Sequence, residues 1–232
     1  MALDISKIVL YEDNHLLIVN KPSSEIVQGD KTGDIPLSEK VKLYLKEKYS
    51  KPGNVYLGVV HRLDRPTSGA LIFARTDKAL GRLNAMLREH KIKKTYWTIV
   101  EKPPKIPEST LRHYLKKNPK NNKSYVVSKN TEGALEAILN YKVVANSDKY
   151  SLLEIELQTG RHHQIRAQLS HIGCIIKGDL KYGAKRSNED ASICLHARYL
   201  NFIHPVRKQE IQITAPVPKN RLWQFFENNV KV

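Results

Sequence analysis

Apolar and polar positions follow two rhythms along this chain. Short aliphatic and β-branched runs at 15–19 (HLLIV), 55–60 (VYLGVV) and 70–75 (ALIFAR) are cut off by Pro or Gly within a few residues, the signature of buried strands. Between the first two, Leu37, Val41, Tyr44 and Leu45 stand at helical spacing, which predicts a helix over 37–48 with that stripe inward. A second helix is predicted after Thr76-Asp77, which can cap it, with Leu80, Leu83 and Leu87 on one face. Farther on, KTYWTIV (94–100) has a period of two, so Trp97 and Ile99 share one face while Tyr96 and Thr98 share the other. The first pair is predicted to be core, and Tyr96 to point away from it. YSLLEIELQ (150–158) repeats the alternation with Leu153, Ile155 and Leu157 inward. It runs into a helix predicted from about 160 to 172, with Ile165, Leu169 and Ile172 packed and Gly173 as its stop. Strands near 192–203 and 210–214, then a short helix carrying Leu222, Phe225 and Phe226, complete the pattern.

These elements predict an α+β protein with a mixed, largely antiparallel central sheet and flanking helices, because the regular βαβ alternation of a doubly wound fold is absent. Neither a repeat nor a Gly/Ser linker divides the chain, so one catalytic-type domain over 1–232 is the expectation. The 232 residues, 41% of them hydrophobic, suffice for a substantial core. No apolar run reaches membrane-spanning length, and Asp4, Glu12 and Asp13 interrupt what would have to be a signal core. A cytoplasmic monomer without a membrane partner is expected, with Cys174 and Cys194 reduced and buried.

Charge narrows the partner. Lys and Arg number 39 against 23 Asp and Glu, a net +16, which is more than solubility requires and implies an anion, with nucleic acid ahead of a membrane surface. The excess is uneven: between Lys91 and Lys129 eleven basic residues face only Glu101 and Glu108. The centre of that stretch, LRHYLKKNPKNNKSYVV, reads as two strands joined by a basic loop. Although a solvated hairpin tip would look similar, the one-signed excess favours RNA phosphate contacts by Lys116, Lys117 and Lys120.

Candidate chemistry centres on HRLDRPTSGALIF (61–73). The segment lies between two apolar strands, and Pro66 and Gly69 allow it to be a tightly shaped turn. Guanidiniums beside Asp64 favour its ionised form, since a neighbouring cation lowers an aspartate pKa by ~1–3 units. A fixed anion suits a nucleophile or an electrostatic stabiliser better than a proton donor. From Arg-Leu-Asp alone, a turn-capping aspartate paired with Arg62 or Arg65 would be the better reading.

The longer strings change that balance. HRLDRPTSG with its following strand resembles the signature of the RluA-type pseudouridine synthases. YEDNHLLIVNKP (11–22) is similar to that family's opening strand, KTYW (94–97) to its second motif and TGRHHQIRAQLSHIGCIIKGDLKYG (159–183) to its third, in the same order. The resemblance implies the pseudouridine synthase fold, with a catalytic cleft across the sheet, and an enzyme that isomerises specific uridines in structured RNA, ribosomal or transfer, without cofactor or metal. It implies that Asp64 takes part covalently while the base is detached, rotated and rejoined through C5; whether the carboxylate attacks the sugar carbon or the base stays open. It also implies that Tyr96 stacks on the target uracil and can assist proton removal, that Arg166 pairs with the aspartate, and that Arg62 enters the RNA where the base departs.

Chemistry on the residues agrees with these roles. An extruded base needs a pocket, and an aromatic face beneath it contributes ~1–3 kcal/mol. Arg166 lies about 100° or more from the inward Ile165 and Leu169, so it is expected to leave the core. Arg161 and the helix N-terminus behind it offer donors for a phosphate, while His61 is assigned to shaping its loop. His162, His163, His171 and Cys174 invite a metal assignment, but adjacent histidines project about 100° apart and no further ligand completes a set. Many members of that family carry a small RNA-binding module ahead of the catalytic domain. The expectation here is a chain that starts almost at the first catalytic strand, leaving RNA selection to the basic loop and to 23–34 (SSEIVQGDKTGD). Two other classes compete: an RNA-binding or ribosome-assembly protein that keeps the fold without the reaction, and a glycoside hydrolase. The latter lacks a second carboxylate in the loop.

Overall fold

The computed structural model describes residues 3–30 and 32–230. They form two compact units, one made of the chain up to Lys93 together with Ala197–Pro216, the other of Lys94–His196 together with the stretch from Val217 onward.

The first unit contains β1 (Val9–Glu12), β2 (Leu16–Lys21), α1 (Leu37–Lys48), β3 (Gly58–Val59), β4 (Ser68–Ala74) and α2 (Asp77–Arg88). β2 pairs antiparallel with both β1 and β4. All seven residues of β4 are buried, which explains why it reads as a continuous apolar run and not as an alternation. Leu16, Ile18, Ala70, Ile72 and Leu83 pack with Leu200 and Phe202 in one core. Both predicted helices are present. Leu37, Val41 and Leu45 are buried in α1, and Thr76 caps α2 by accepting from the Ala79 N–H at 3.2 Å. The predicted strand at 55–60 shrinks to Gly58–Val59, because Tyr56 turns outward to place its hydroxyl on Asp77, 3.2 Å away.

The second unit is built on β5 (Lys93–Val100), β6 (Glu108–Asn118), β7 (Lys123–Val127), β8 (Leu135–Asn146) and β9 (Ser151–Leu157), followed by α3 (Gln164–His171). Its strands lie in the order β5-β9-β8-β6-β7, each pair antiparallel. β10 (Leu195–Ile203) carries the chain back to the first unit, where β11 (Glu210–Thr214) pairs with it, and α4 (Arg221–Asn229) belongs to the second. The α+β, largely antiparallel expectation holds. The helix predicted from about 160 starts only at Gln164, since His163 takes a left-handed conformation (φ +53°) and breaks the preceding turn. In α4 the inward residues are Trp223 and Phe226, while Phe225 is 43% exposed, so the predicted apolar face is rotated. Cys174 and Cys194 are both free and buried, and burial pushes the Cys194 thiol up to about 11.

Candidate active site

Asp64 sits half-buried in the connection from β3 to β4. Its carbonyl accepts from the Thr67 N–H at 3.0 Å, which closes a β-turn. The next carbonyl, that of Arg65, accepts from the Ser24 N–H at 3.0 Å and from Lys21 Nζ at 3.2 Å. The Arg65 guanidinium folds back along the 23–34 segment, with Nε on the Ser24 carbonyl at 3.0 Å and Nη2 on Asp34 at 2.6 Å. His61 shapes the other limb, because its Nε2 accepts from the Ile72 N–H of β4 at 3.2 Å. The catalytic-type turn is thus tied to β2, to β4 and to the segment after β2. Arg62 is exposed and has no hydrogen bond or ion pair among the described residues.

Gly69, the second residue of β4, has φ +116°, and a Cβ there would lie 2.4 Å from the backbone N and O of Ala197. Only glycine permits that approach, which explains its place after Thr67-Ser68.

The remaining predicted residues belong to the second unit. Tyr96 is 7% exposed and stands in register with Ile155 of β9. The expected alternation of a covered and an open face is not found: Tyr96, Trp97, Thr98, Ile99 and Val100 are all buried. Period two separates the faces of a strand but does not say which is covered, and here both are. Arg166 likewise does not leave the core. It is 4% exposed on a helix whose residues 164 to 169 are all buried, and its Nε and Nη2 grip Asp179 at 2.7 and 2.8 Å. The Arg166 guanidinium carbon also lies 5.0 Å from the centre of the Tyr182 ring. Two parallel charge-assisted bonds and a ring beneath hold the guanidinium in one plane.

Lys116, Lys117 and Lys120 are exposed on the β6–β7 hairpin, as its charge pattern predicts. The hairpin is anchored from below. The Tyr182 hydroxyl accepts from the Ser124 N–H at 2.9 Å and lies 3.1 Å from the Ser124 carbonyl, so it pairs with β7 where a further strand would. Arg161 is exposed, but its Nε is committed to the Glu136 carbonyl at 2.8 Å and its backbone N–H to the Gln164 side chain at 2.9 Å. Among the described residues no group of three or more His, Cys, Asp or Glu is arranged to hold a metal ion, and no helix is long and apolar enough to cross a membrane.

A profile of the RNA pseudouridylate synthases matches residues 15–171, which contain both the Asp64 turn and the Tyr96 strand. The chain belongs to that family. Synthase relatives extend the match: the "Ribosomal large subunit pseudouridine synthase C" of Buchnera aphidicola subsp. Baizongia pistaciae is 37% identical over 225 residues, 94% of this chain and 69% of that protein. The "Ribosomal large subunit pseudouridine synthase D" of Zymomonas mobilis is 32% identical, over 94% and 71% of the two chains. The solved structure of "Human RNA Pseudouridylate Synthase Domain Containing 4" superposes with a TM-score of 0.80 at 21% identity, covering 98% of this chain and 95% of that one, and so shares the synthase fold. The chain is therefore an RNA pseudouridine synthase, an isomerase.

Three residues that hold the candidate residues of this synthase escaped the sequence reading. Lys21 is fully buried, and its ammonium donates to the carbonyls of Pro22, Glu25 and Arg65. Burial pulls it down to about 7, an effect partly offset by the charges of Glu25 and Asp64. Asp179 and Tyr182 hold Arg166 and the hairpin. The only sequence signal for any of them is position within a motif: Lys21 in NKP, and the other two in GDLKYG.

Proposed function

We propose that Asp64 is the carboxylate that drives uridine isomerisation in this synthase. In that reaction the bond from the ribose C1′ to N1 breaks, the base turns, a bond from C1′ to C5 forms, and the proton on C5 leaves while N1 regains one, so substrate and product are isomers. Tyr96 stacks on the extruded uracil and assists loss of the C5 proton, and Arg166, fixed by Asp179, contributes positive charge to the reaction. Arg62 enters the space the base vacates, and Arg161 with Lys116, Lys117 and Lys120 contacts backbone phosphates. The RNA is that of the large ribosomal subunit, a reading supported by the printed names of the two relatives above, and the enzyme works in the cytoplasm.

One observation carries the proposal: the Asp64 turn is tied to β2 and the 23–34 segment through the Arg65 carbonyl and to β4 through the His61 imidazole, while the Arg65 guanidinium is committed to Asp34. A turn held that firmly presents the carboxylate it carries from a preorganised backbone. Asp64→Asn keeps the size of the side chain and removes its nucleophilic oxygen. With ribosomal RNA labelled with tritium at uridine C5, the variant is expected to release no tritium above background while RNA affinity stays within severalfold of wild type. Tritium release at the wild-type rate would refute the assignment.

A further inference from the structure

β5 carries one partly buried charged side chain that neither the core nor the roles above employ. Lys94 precedes Tyr96 by two residues, so both project from the same face of the strand. It is largely withdrawn from water, and burial alone holds its ammonium below the usual lysine range, with no carboxylate offsetting the effect. Among the described residues Lys94 makes no hydrogen bond and no ion pair. Its Nζ borders the turn before α3, where a Cβ built on Gly160 would stand 4.0 Å away.

Lys21 shows what a buried ammonium ordinarily requires, since three carbonyl oxygens surround it at 2.8 to 3.2 Å. Lys94 has no such acceptors. Keeping a partly desolvated, uncompensated cation costs stability, and an apolar side chain of the same length would avoid the cost. The cost is repaid when a ligand brings the missing anion, because the cation has already shed much of its water and its rotational freedom. RNA, this enzyme's substrate class, offers one anion along its whole length.

We propose that Lys94 is a phosphate-binding residue of the active site, receiving a backbone phosphate oxygen of the nucleotide that stacks on Tyr96 or of its immediate neighbour. The proposal rests on the assignment of Tyr96 to the substrate face. The ammonium supplies the counter-charge; it moves no proton in the reaction.

The test uses the full chain and a ribosomal RNA fragment that the wild type converts. Failure to find any such fragment would count against the substrate reading and not against Lys94. Lys94→Met is expected to weaken RNA binding about tenfold and to lower the slope of log affinity against log salt by about 0.7 to 0.9, the value of one phosphate contact. KM rises while kcat changes little, and the free variant melts at or above the wild-type temperature. Lys94→Arg restores the slope. Three results would each overturn the proposal: unchanged affinity and slope, lost affinity with an unchanged slope (a base contact instead), or a Lys94→Met protein that melts earlier or fails to fold, which would make Lys94 a structural residue.

Discussion

Replacing Lys21 by Met removes the ammonium and keeps the length of the side chain. Two effects separate by pH. Below neutrality both the folded and the unfolded wild type carry the charge, and the substitution strips three carbonyls of their donor. At ~1–3 kcal/mol for each buried acceptor left wanting, offset by release of the buried charge, a net loss of roughly 3 kcal/mol is expected. Above neutrality the folded chain gives up its proton near pH 7 while the unfolded chain holds it until about 10.5. The unfolded state then binds more protons, so wild-type stability rises with pH through that window. Between pH 6 and pH 9 the gain over Lys21→Met is about 2 to 3 kcal/mol, from ~1.4 kcal/mol per pH unit. Urea titrations of both proteins at intervals from pH 6 to pH 9 measure it. A constant difference between them across that range would show that the carbonyls keep Lys21 charged and would refute the reasoning. Because the Lys21 ammonium holds the Arg65 carbonyl, one residue from Asp64, Lys21→Met should also lower kcat.

Two further outcomes follow from packing and from titration. Gly69→Ala should lose ~3 kcal/mol or more, seen as a lower denaturant midpoint or insoluble expression, because it combines φ +116° with a backbone clash at 2.4 Å. Gly81→Ala, on the exposed face of α2 with nothing within 4 Å of the added methyl, should instead gain up to about 1 kcal/mol; equal effects at the two sites would be inconsistent with this account. His204 is buried with Nδ1 accepting from the N–H groups of Val206 and Arg207, and burial holds it below the ordinary imidazole range despite Asp13 at 3.0 Å. The unfolded chain therefore takes up that proton first, so stability should fall as pH drops through about 6.5. The lowered Asp13 carboxyl adds to the loss below about pH 4. His204→Gln should remove the upper part of the decline, and matching pH profiles for the two proteins would exclude His204 as its source.

The Asp64 turn, the two early helices and the basic hairpin were legible because each depends on neighbours in sequence. A Pro66 and Gly69 turn, a Leu37-Val41-Leu45 stripe and a Thr76 cap are local devices. Tyr96 and Arg166 were found by motif, but their surroundings were misjudged. A period of two or of 3.6 separates one face from another, yet whether the second face meets water depends on chain that packs there from far away. For Arg166 that chain is Asp179 and Tyr182, beyond the end of its helix. Lys21 looked like any lysine at the end of a strand, since nothing in NKP shows that the Glu25 and Arg65 carbonyls will converge on it.

The sequence by itself determined the chemistry on offer: a carboxylate on a tight turn, an aromatic ring on a strand, a surplus of cations for a polyanion, and the ordered motifs of a synthase family. Tertiary structure alone decided which partner each cation meets. Arg166 is bound to Asp179, Arg65 to Asp34 and Lys21 to three carbonyls, whereas Lys94 has been brought largely out of water without a hydrogen-bond or ion-pair partner among the described residues. A charge acquires its energy from the dielectric and the dipoles around it, and those are supplied by residues that are distant along the chain.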